Sequence, residues 1–389
     1  MLKYSLGLDV SKANFHACIS TIDARQTVKV QRSGTFSNNE KGFKELQIWI
    51  NREHRDSSIP LVITLEATGI YHECLALCLH RSGYAVAIIL PNKAKKYIAS
   101  LGIKTKNDTA DARALSRMGA EQSLELWEPM GEFFYTLRSM TRQYQRLQQI
   151  KTMLTNQKEA IGHGALQIEA VKESNKAMLA MIEEQLKAMQ KIISKHLASD
   201  KEVARKLGHI TAITGVGELT VAVTLAETNG FALFTNSRQL ISFCGYDVIE
   251  NQSGKHQGKT KISKKGNSRI RRSLHLPALN VVRWKVKAFQ DMYERVHNRT
   301  GIKMKGYVAV QKKLLTTIYA LWKNDTRFDP NYQQRNQAKT TSDGEAVYSS
   351  RQSSSAEQRS TAKKLAPRKG GAKQGIQPSD GAGVCILSA

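Results

Sequence analysis

The sequence predicts an α/β domain with a mixed sheet, followed by a long helical hairpin and then a basic, mostly helical domain. Three observations predict it. Residues 1–118 give three consecutive strand-like segments and then alternate helix and strand, the layer pattern of an α/β fold. Residues 132–207 lack proline and space their apolar side chains with a helical period. From Asn251 to Lys323 there are 18 Lys and Arg against only Asp291 and Glu294, a local excess of 16 positive charges.

In chain order, Leu2–Val10 is expected as the first strand, then Phe15–Thr21 and Val28–Arg32, with turn-forming residues between them. Asn38 or Asn39 can cap a helix running to Glu53, with Phe43, Leu46, Ile48 and Trp49 as its apolar stripe. Pro60–Glu66 is predicted as a buried strand, His72–Ser82 as a helix, and Val86–Leu90 as a strand stopped by Pro91. A last helix covers Asp108–Met118. Between Glu132 and Leu207 we expect two long helices broken near Gly162–Gly164, with Met178, Met181, Ile182, Leu186, Met189, Ile192 and Ile193 as an apolar stripe. A second compact region spans His209–Asp329. Beyond Asn331, Gln, Ser, Thr, Gly, Ala and Lys dominate, so residues 331–389 are expected as a disordered tail.

A chain of 389 residues has room for two domains and an extension, and 41% hydrophobic residues suffice for a real core. The formal net charge of +26 exceeds what solubility calls for and attracts polyanions. Nucleic acid is the expected partner. The five cysteines follow neither a disulfide framework nor a four-ligand zinc pattern. No signal peptide or membrane span is expected, because Asp9 interrupts the N-terminus and Glu66, His72 and Glu73 interrupt the most apolar stretch. The expected location is the cytoplasm.

The chemistry concentrates in acids. Asp9 sits within the apolar first strand, where an unpartnered carboxylate is expensive to bury. Glu66 ends the apolar run from Leu61, and Asp108 and Asp111 share one face of a helix start. Each has a plain structural reading as a turn, cap or first-turn acid. Together they follow the order in which ribonuclease-H-like folds deliver metal-binding acids: first strand, later central strand, final helix. Adjacent strands would bring Asp9 and Glu66 together, with Asp108 and Asp111 laid over them. Four such carboxylates cannot all stay ionised in a cluster. Two Mg²⁺ ions, with Mn²⁺ as a substitute, would resolve the repulsion and could act on a phosphodiester.

The second region adds Ser253-Gly254, a polar step rimmed by lysine and suited to an exposed hydroxyl near phosphate. Ile213-Thr-Gly-Val-Gly-Glu-Leu-Thr220 resembles a helix–hairpin–helix, with a tight helix–helix turn as the equal alternative.

These residues resemble the DEDD transposases of bacterial and archaeal insertion sequences, the IS-one-ten family. The resemblance covers nearly all of residues 3–325 and rests on several short motifs in order. They are Gly7-Leu-Asp9-Val-Ser-Lys12, Leu65-Glu66-Ala-Thr-Gly69, Lys106-Asn-Asp108-Thr-Ala-Asp111-Ala, Gly215-Val-Gly217, Phe243-Cys-Gly245, Gln252-Ser-Gly254 and Ile262-Ser-Lys-Lys-Gly-Asn267. It implies a ribonuclease H/RuvC-like mixed sheet over residues 1–125, a coiled-coil insertion over 126–207 and a C-terminal transposase domain over 208–330. It also implies a composite site in which Asp9, Glu66, Asp108 and Asp111 hold metal and a serine attacks DNA phosphate. By motif match that serine is Ser253, with Ser242 as second choice. The implied partners are donor and target DNA, a structured guide RNA from the element's own ends, and further copies of the chain as a dimer or tetramer. Base pairing would then supply the sequence, leaving the protein to grip backbones. The grip is expected from Lys255, Lys259, Lys261, Lys264, Lys265, Arg269, Arg271 and Arg272. Two alternatives stand beside this reading: a RuvC-like nuclease or junction resolvase that uses water, and a nucleic-acid-binding protein without catalysis.

Overall fold

The computed structural model describes residues 1–67, 69–102, 107–250, 252–253, 256–258 and 261–332. The expected tail falls outside them from residue 333 onward, as do Lys255 and Lys259. The chain divides into two units, residues 1–135 and 136–389.

The first unit is built on a five-stranded sheet. Strands β1 (Lys3–Val10), β2 (Asn14–Ile22) and β3 (Val28–Ser37) form an antiparallel meander. β3 runs five residues past the expected end at Arg32. Its alternation of half-buried and exposed residues, Gly34 and Phe36 against Ser33 and Thr35, marks a one-sided strand that polar composition disguised. Helix α1 (Glu40–Glu53) follows, its first turn capped by Asn39 Oδ1, which accepts from the Gly42 N–H at 3.0 Å. Strand β4 (Leu61–Glu66) then pairs parallel with β1, helix α2 (Glu73–Arg81) crosses over, and β5 (Ala85–Ile89) pairs parallel with β4. The resulting order is β3-β2-β1-β4-β5.

Pro91 does more than stop β5. It occupies the first turn of helix α3 (Pro91–Ser100), a helix the sequence reading lacked. Proline is at home there, because its missing N–H has no intrahelical partner in a first turn.

Helix α4 (Asp108–Glu121) lies across the sheet on an interface of small residues. A Cβ at Gly7 would fall inside the contact envelope of Ala112 O and Ser116 N, and one at Gly119 would strike Thr64 Oγ1 and Ser5 Oγ. Ser116 Oγ donates to Ser5 O at 2.9 Å, and its side chain meets Ser20 Oγ at 2.7 Å within the same buried seam. Gly7 and Gly119 therefore set how closely α4 approaches the sheet. We expect Gly7→Ala to lift α4 from β1 and cost about 2–3 kcal/mol as an overpacked core site. Calorimetry would show the lower melting temperature. A variant as stable as the parent would contradict the close approach.

The sheet's apolar face buries Leu6, Leu8, Phe15, Ile19, Ile63 and Leu65 together with Leu46 and Ile50 of α1 and Leu75 and Leu79 of α2. These aliphatic and aromatic side chains supply the hydrophobic drive that holds the acids in register.

The second unit takes up most of helix α5 (Glu132–Gly162), which pairs with α6 (Glu169–Ala198). Leu147, Leu154, Ile182 and Leu186 form the seam, with Tyr144, Leu179 and Met189 packed on it. Of the seven residues expected in one stripe, Ile182, Leu186 and Ile193 are buried, whereas Met178, Met181 and Ile192 are exposed. A helix facing one partner buries a narrow seam, so apolar residues one position off it stay in water.

Beyond α6 the second unit is helical around a small β element. Its helices are α7 (Lys201–Thr211), α8 (Glu218–Thr228), α9 (Ser237–Phe243), α10 (Ser268–Ser273), α11 (His275–Arg283), α12 (Lys287–Thr300) and α13 (Lys303–Asn324). Two-residue strands β6 (Val248–Ile249) and β9 (Lys261–Ile262) pair with each other, as do β7 (Gln252–Ser253) and β8 (His256–Gln257). Between α7 and α8, Gly215 takes φ +99° and packs its open face against Asn280 and Val281, room that a side chain would fill. Among the described residues, no helix is long and apolar enough to cross a membrane. The described cysteines, Cys18, Cys74, Cys78 and Cys244, are free thiols.

Candidate active site

The acids are gathered by the sheet. Leu8 of β1 is level with Leu65 of β4, so Asp9 and Glu66 follow one residue on, side by side near the ends of neighbouring parallel strands. Asn107 Oδ1 accepts from the Ala110 N–H at 2.8 Å and starts α4 at Asp108, which places Asp108 and Asp111 in its first turn. The electrostatics record the convergence. Burial, then the charges of Asp111, Asp108 and Glu66, push the Asp9 carboxyl up to about 6, against a smaller opposing effect of the Val10 backbone N–H. Four acids from three elements thus share one electrostatic neighbourhood.

They do not form a closed cage. Among the described residues, no three His, Cys, Asp or Glu side chains stand close enough to hold a metal ion. Asp108 is open to solvent, with 62% of its side chain exposed, and Asp9, Glu66 and Asp111 are half-buried.

One member of the site escaped the sequence reading. His16 faces Asp9 across the β1–β2 ladder, and its Nε2 lies 3.5 Å from Asp108 Oδ2. On its far side, His16 Nδ1 is 3.1 Å from Thr35 Oγ1. With the threonine hydroxyl donating to Nδ1, the Nε2–H is left to face the Asp108 carboxylate. The signal was available, since a tight connection between Val10 and Asn14 puts Asp9 opposite His16.

In the second unit, Ser253 is exposed on β7 and pairs with His256 in the ladder. Ser242, the second choice, is exposed in the last turn of α9. Of the basic residues, Lys261, Lys264, Lys265 and Arg272 are exposed. Arg271 instead donates to Cys244 O at 2.8 Å and Gly266 O at 3.2 Å, tying α10 to the end of α9. Arg269 is partly buried and donates to Gln145 Oε1 at 3.1 Å.

Arg269 belongs to a network around Glu227, whose side chain is 3% exposed. Arg142 grips its two oxygens at 2.7 and 2.9 Å, and Asn267 Nδ2 donates at 2.7 Å. Burial opposes the charge, but Arg142, then Asn267 and Arg269, outweigh it and hold the carboxyl below the usual range. A bidentate pair of this kind fixes α5, α8 and α10 in one geometry.

A sheet in the order β3-β2-β1-β4-β5, with carboxylates on its first and fourth strands and on the helix that crosses it, defines a RuvC-like, ribonuclease-H-type domain. Two family models match the chain. A transposase model of the DEDD type covers residues 6–161, and one described as the transposase IS116/IS110/IS902 family covers residues 208–294. The chain belongs to that family of transposases. It is 28% identical over 330 residues to the pilin gene-inverting protein of Moraxella lacunata, covering 85% of this chain and 98% of the relative. A probable family 20 transposase of Pseudomonas aeruginosa is 22% identical over 307 residues, 72% of this chain and 84% of the relative. Among solved structures, Thermus thermophilus RuvC in complex with Holliday junction substrate matches at 9% identity and a TM-score of 0.25, covering 32% of this chain and 99% of that one. The fowlpox virus Holliday junction resolvase matches at 16% identity and a TM-score of 0.23, covering 30% and 98%. The strand order itself, rather than these scores, defines the fold.

Proposed function

We propose that this protein cleaves and rejoins DNA strands for insertion-sequence mobility, with a divalent-metal site of Asp9, Glu66, Asp108 and Asp111 and a serine nucleophile, Ser253. The observation that carries the reading is the half-buried Asp9 carboxyl, raised first by burial and then by the charges of three acids that the sheet and α4 bring to it. The donor set fits a hard divalent cation, being all carboxylate oxygen, and Mg²⁺ is the ion such sites hold beside phosphate. When bound, two such ions would neutralise charge at the scissile phosphate. The relatives named for gene inversion support strand rejoining, since inverting a segment requires both cutting and resealing.

The chain's own residues supply the rest. Lys261, Lys264, Lys265 and Arg272 face solvent and would grip phosphates without reading bases. His16 would hold Asp108 in orientation. Ser253 Oγ would form a bond to phosphorus as the bond to the departing sugar oxygen breaks, its proton passing to solvent and the sugar oxygen taking one up. Attack by another strand's hydroxyl would reverse the step and release the serine. A structured RNA from the element's ends, paired with donor and target DNA, accounts for how a backbone-gripping protein finds its sites. A dimer or tetramer would present two or more sites to the paired duplexes.

The test is a recombination assay with purified protein, element-end RNA, and donor and target plasmids, with junctions read by sequencing. Junction formation in Mg²⁺ and its loss on chelation are expected. Junctions that persist in a chelator, or cutting without any joining, would contradict the reading.

A further inference from the structure

The second unit carries a groove of which the proposed chemistry uses Arg272 alone. It lies between α5, α8 and the α10–α11 segment and measures about 590 Å³, within the range of small-molecule sites. Tyr144, Leu219, Val223, Leu276 and Pro277 make its walls largely apolar, and the amides of Gln145, Gln148 and Gln149 run along one side. Leu276 is 67% exposed, apolar surface left open in a chain of net charge +26.

Arginine stands beside this apolar wall. Arg272 lines the groove, steadied by the Gln149 amide when its oxygen is turned toward the guanidinium. Arg146 follows Arg142 by one turn of α5 and is exposed. Arg142, Arg146 and Arg272 all lie close enough to Arg269 to depress its basicity, an effect that adds to its burial. The carboxylate within that group, Glu227, is already engaged by Arg142 and Asn267. Arg272 therefore presents positive charge to whatever enters, and Arg146 adds to the positive surroundings of this arginine group.

Guanidinium groups beside an aromatic and apolar slot make a receptor for phosphate joined to a flat ring. The exposed amides of Gln148 and Gln149 can pair with the edge of such a ring. A duplex keeps its bases stacked and cannot offer one to a groove this size. We propose that this groove takes one unstacked nucleotide of a single strand, its base against the apolar wall and its phosphate on Arg272. The proposal rests on reading the protein as a nucleic-acid enzyme and adds a site for a looped-out or displaced strand.

The test is fluorescence anisotropy on the full chain at fixed salt. Its probes are a short oligothymidylate, the matching oligouridylate, an abasic strand of equal length and a duplex. The intact protein should bind a base-bearing strand about tenfold more tightly than the abasic strand. Leu276→Asp, at an exposed position, should bring that ratio close to one. Arg272→Gln should weaken binding of both strands about fivefold, as loss of a phosphate contact does. A stronger preference for the oligouridylate assigns the groove to RNA, and for the oligothymidylate to DNA. Tight duplex binding with no base preference in the intact protein overturns the groove proposal but leaves the enzyme reading standing. Binding to none of the probes overturns both. A ratio untouched by Leu276→Asp, with a smaller species on size exclusion, marks the groove as a contact between copies and also overturns the proposal.

Discussion

Asp9→Asn is expected to abolish DNA cleavage in Mg²⁺, by at least about a thousandfold, and at the same time to make the metal-free protein more stable. The first effect follows from removing a charged oxygen donor at the centre of the four acids. The second follows from the burial, and the acid repulsion added to it, that push the Asp9 carboxyl up to about 6. The sign is fixed by linkage. A carboxyl whose folded value is raised resists ionisation in the native state, so the penalty is absent below about pH 4, grows between 4 and 6, and is complete above 6. Asp9 remains partly solvated, and screening reduces the penalty to about 1 kcal/mol at neutral pH. Thermal melts in chelator should therefore place Asp9→Asn about 3 °C above the parent at pH 7.5 and level with it below pH 4. Adding Mg²⁺ should stabilise the parent more than the variant. Retained cleavage, or a variant less stable than the parent at neutral pH, would remove Asp9 from the metal site.

Ser253→Ala should eliminate strand joining and the covalent attachment of protein to DNA, while binding and the melting temperature stay near those of the parent. Ser253 is exposed and its pairing within β7–β8 is through the backbone, so losing the hydroxyl costs the fold little. The measurement is a denaturing gel of end-labelled DNA, in which the parent should shift label to protein size and the variant should not. Ser242→Ala should retain the shift. If Ser253→Ala still transfers label, or if DNA is cut with no covalent species in the parent, water or another residue is the nucleophile. Combining this assay with Asp9→Asn separates the two halves of the proposed mechanism, because the acids and the serine belong to different units.

Much of the first unit was legible in the chain. Alternating and continuous apolar runs encode strands directly, so β1, β2, β4, β5, α1, α2 and α4 fall within a few residues of expectation. The losses have specific causes. α3 was hidden by a proline that stops a strand and starts a helix equally well. The end of β3 was hidden because a half-solvated strand needs few apolar residues. In the α5–α6 pair, helical spacing marked apolar residues but not which of them the partner helix would cover.

Sequence alone determined which chemistry-bearing side chains exist and in what order. Acids on the first strand and a central strand were readable because they interrupt or end an apolar pattern, and the pair at the helix start because its spacing shares one face. Tertiary structure decided their company. The level of Leu8 with Leu65, the close seat of α4 on Gly7, the arrival of His16 beside Asp108, and the arginines collected around Glu227 all depend on contacts between residues distant in the chain. Local propensity is a property of neighbours in sequence, whereas electrostatics and packing act through space. The first could be read along the chain; the second existed only once the chain had folded.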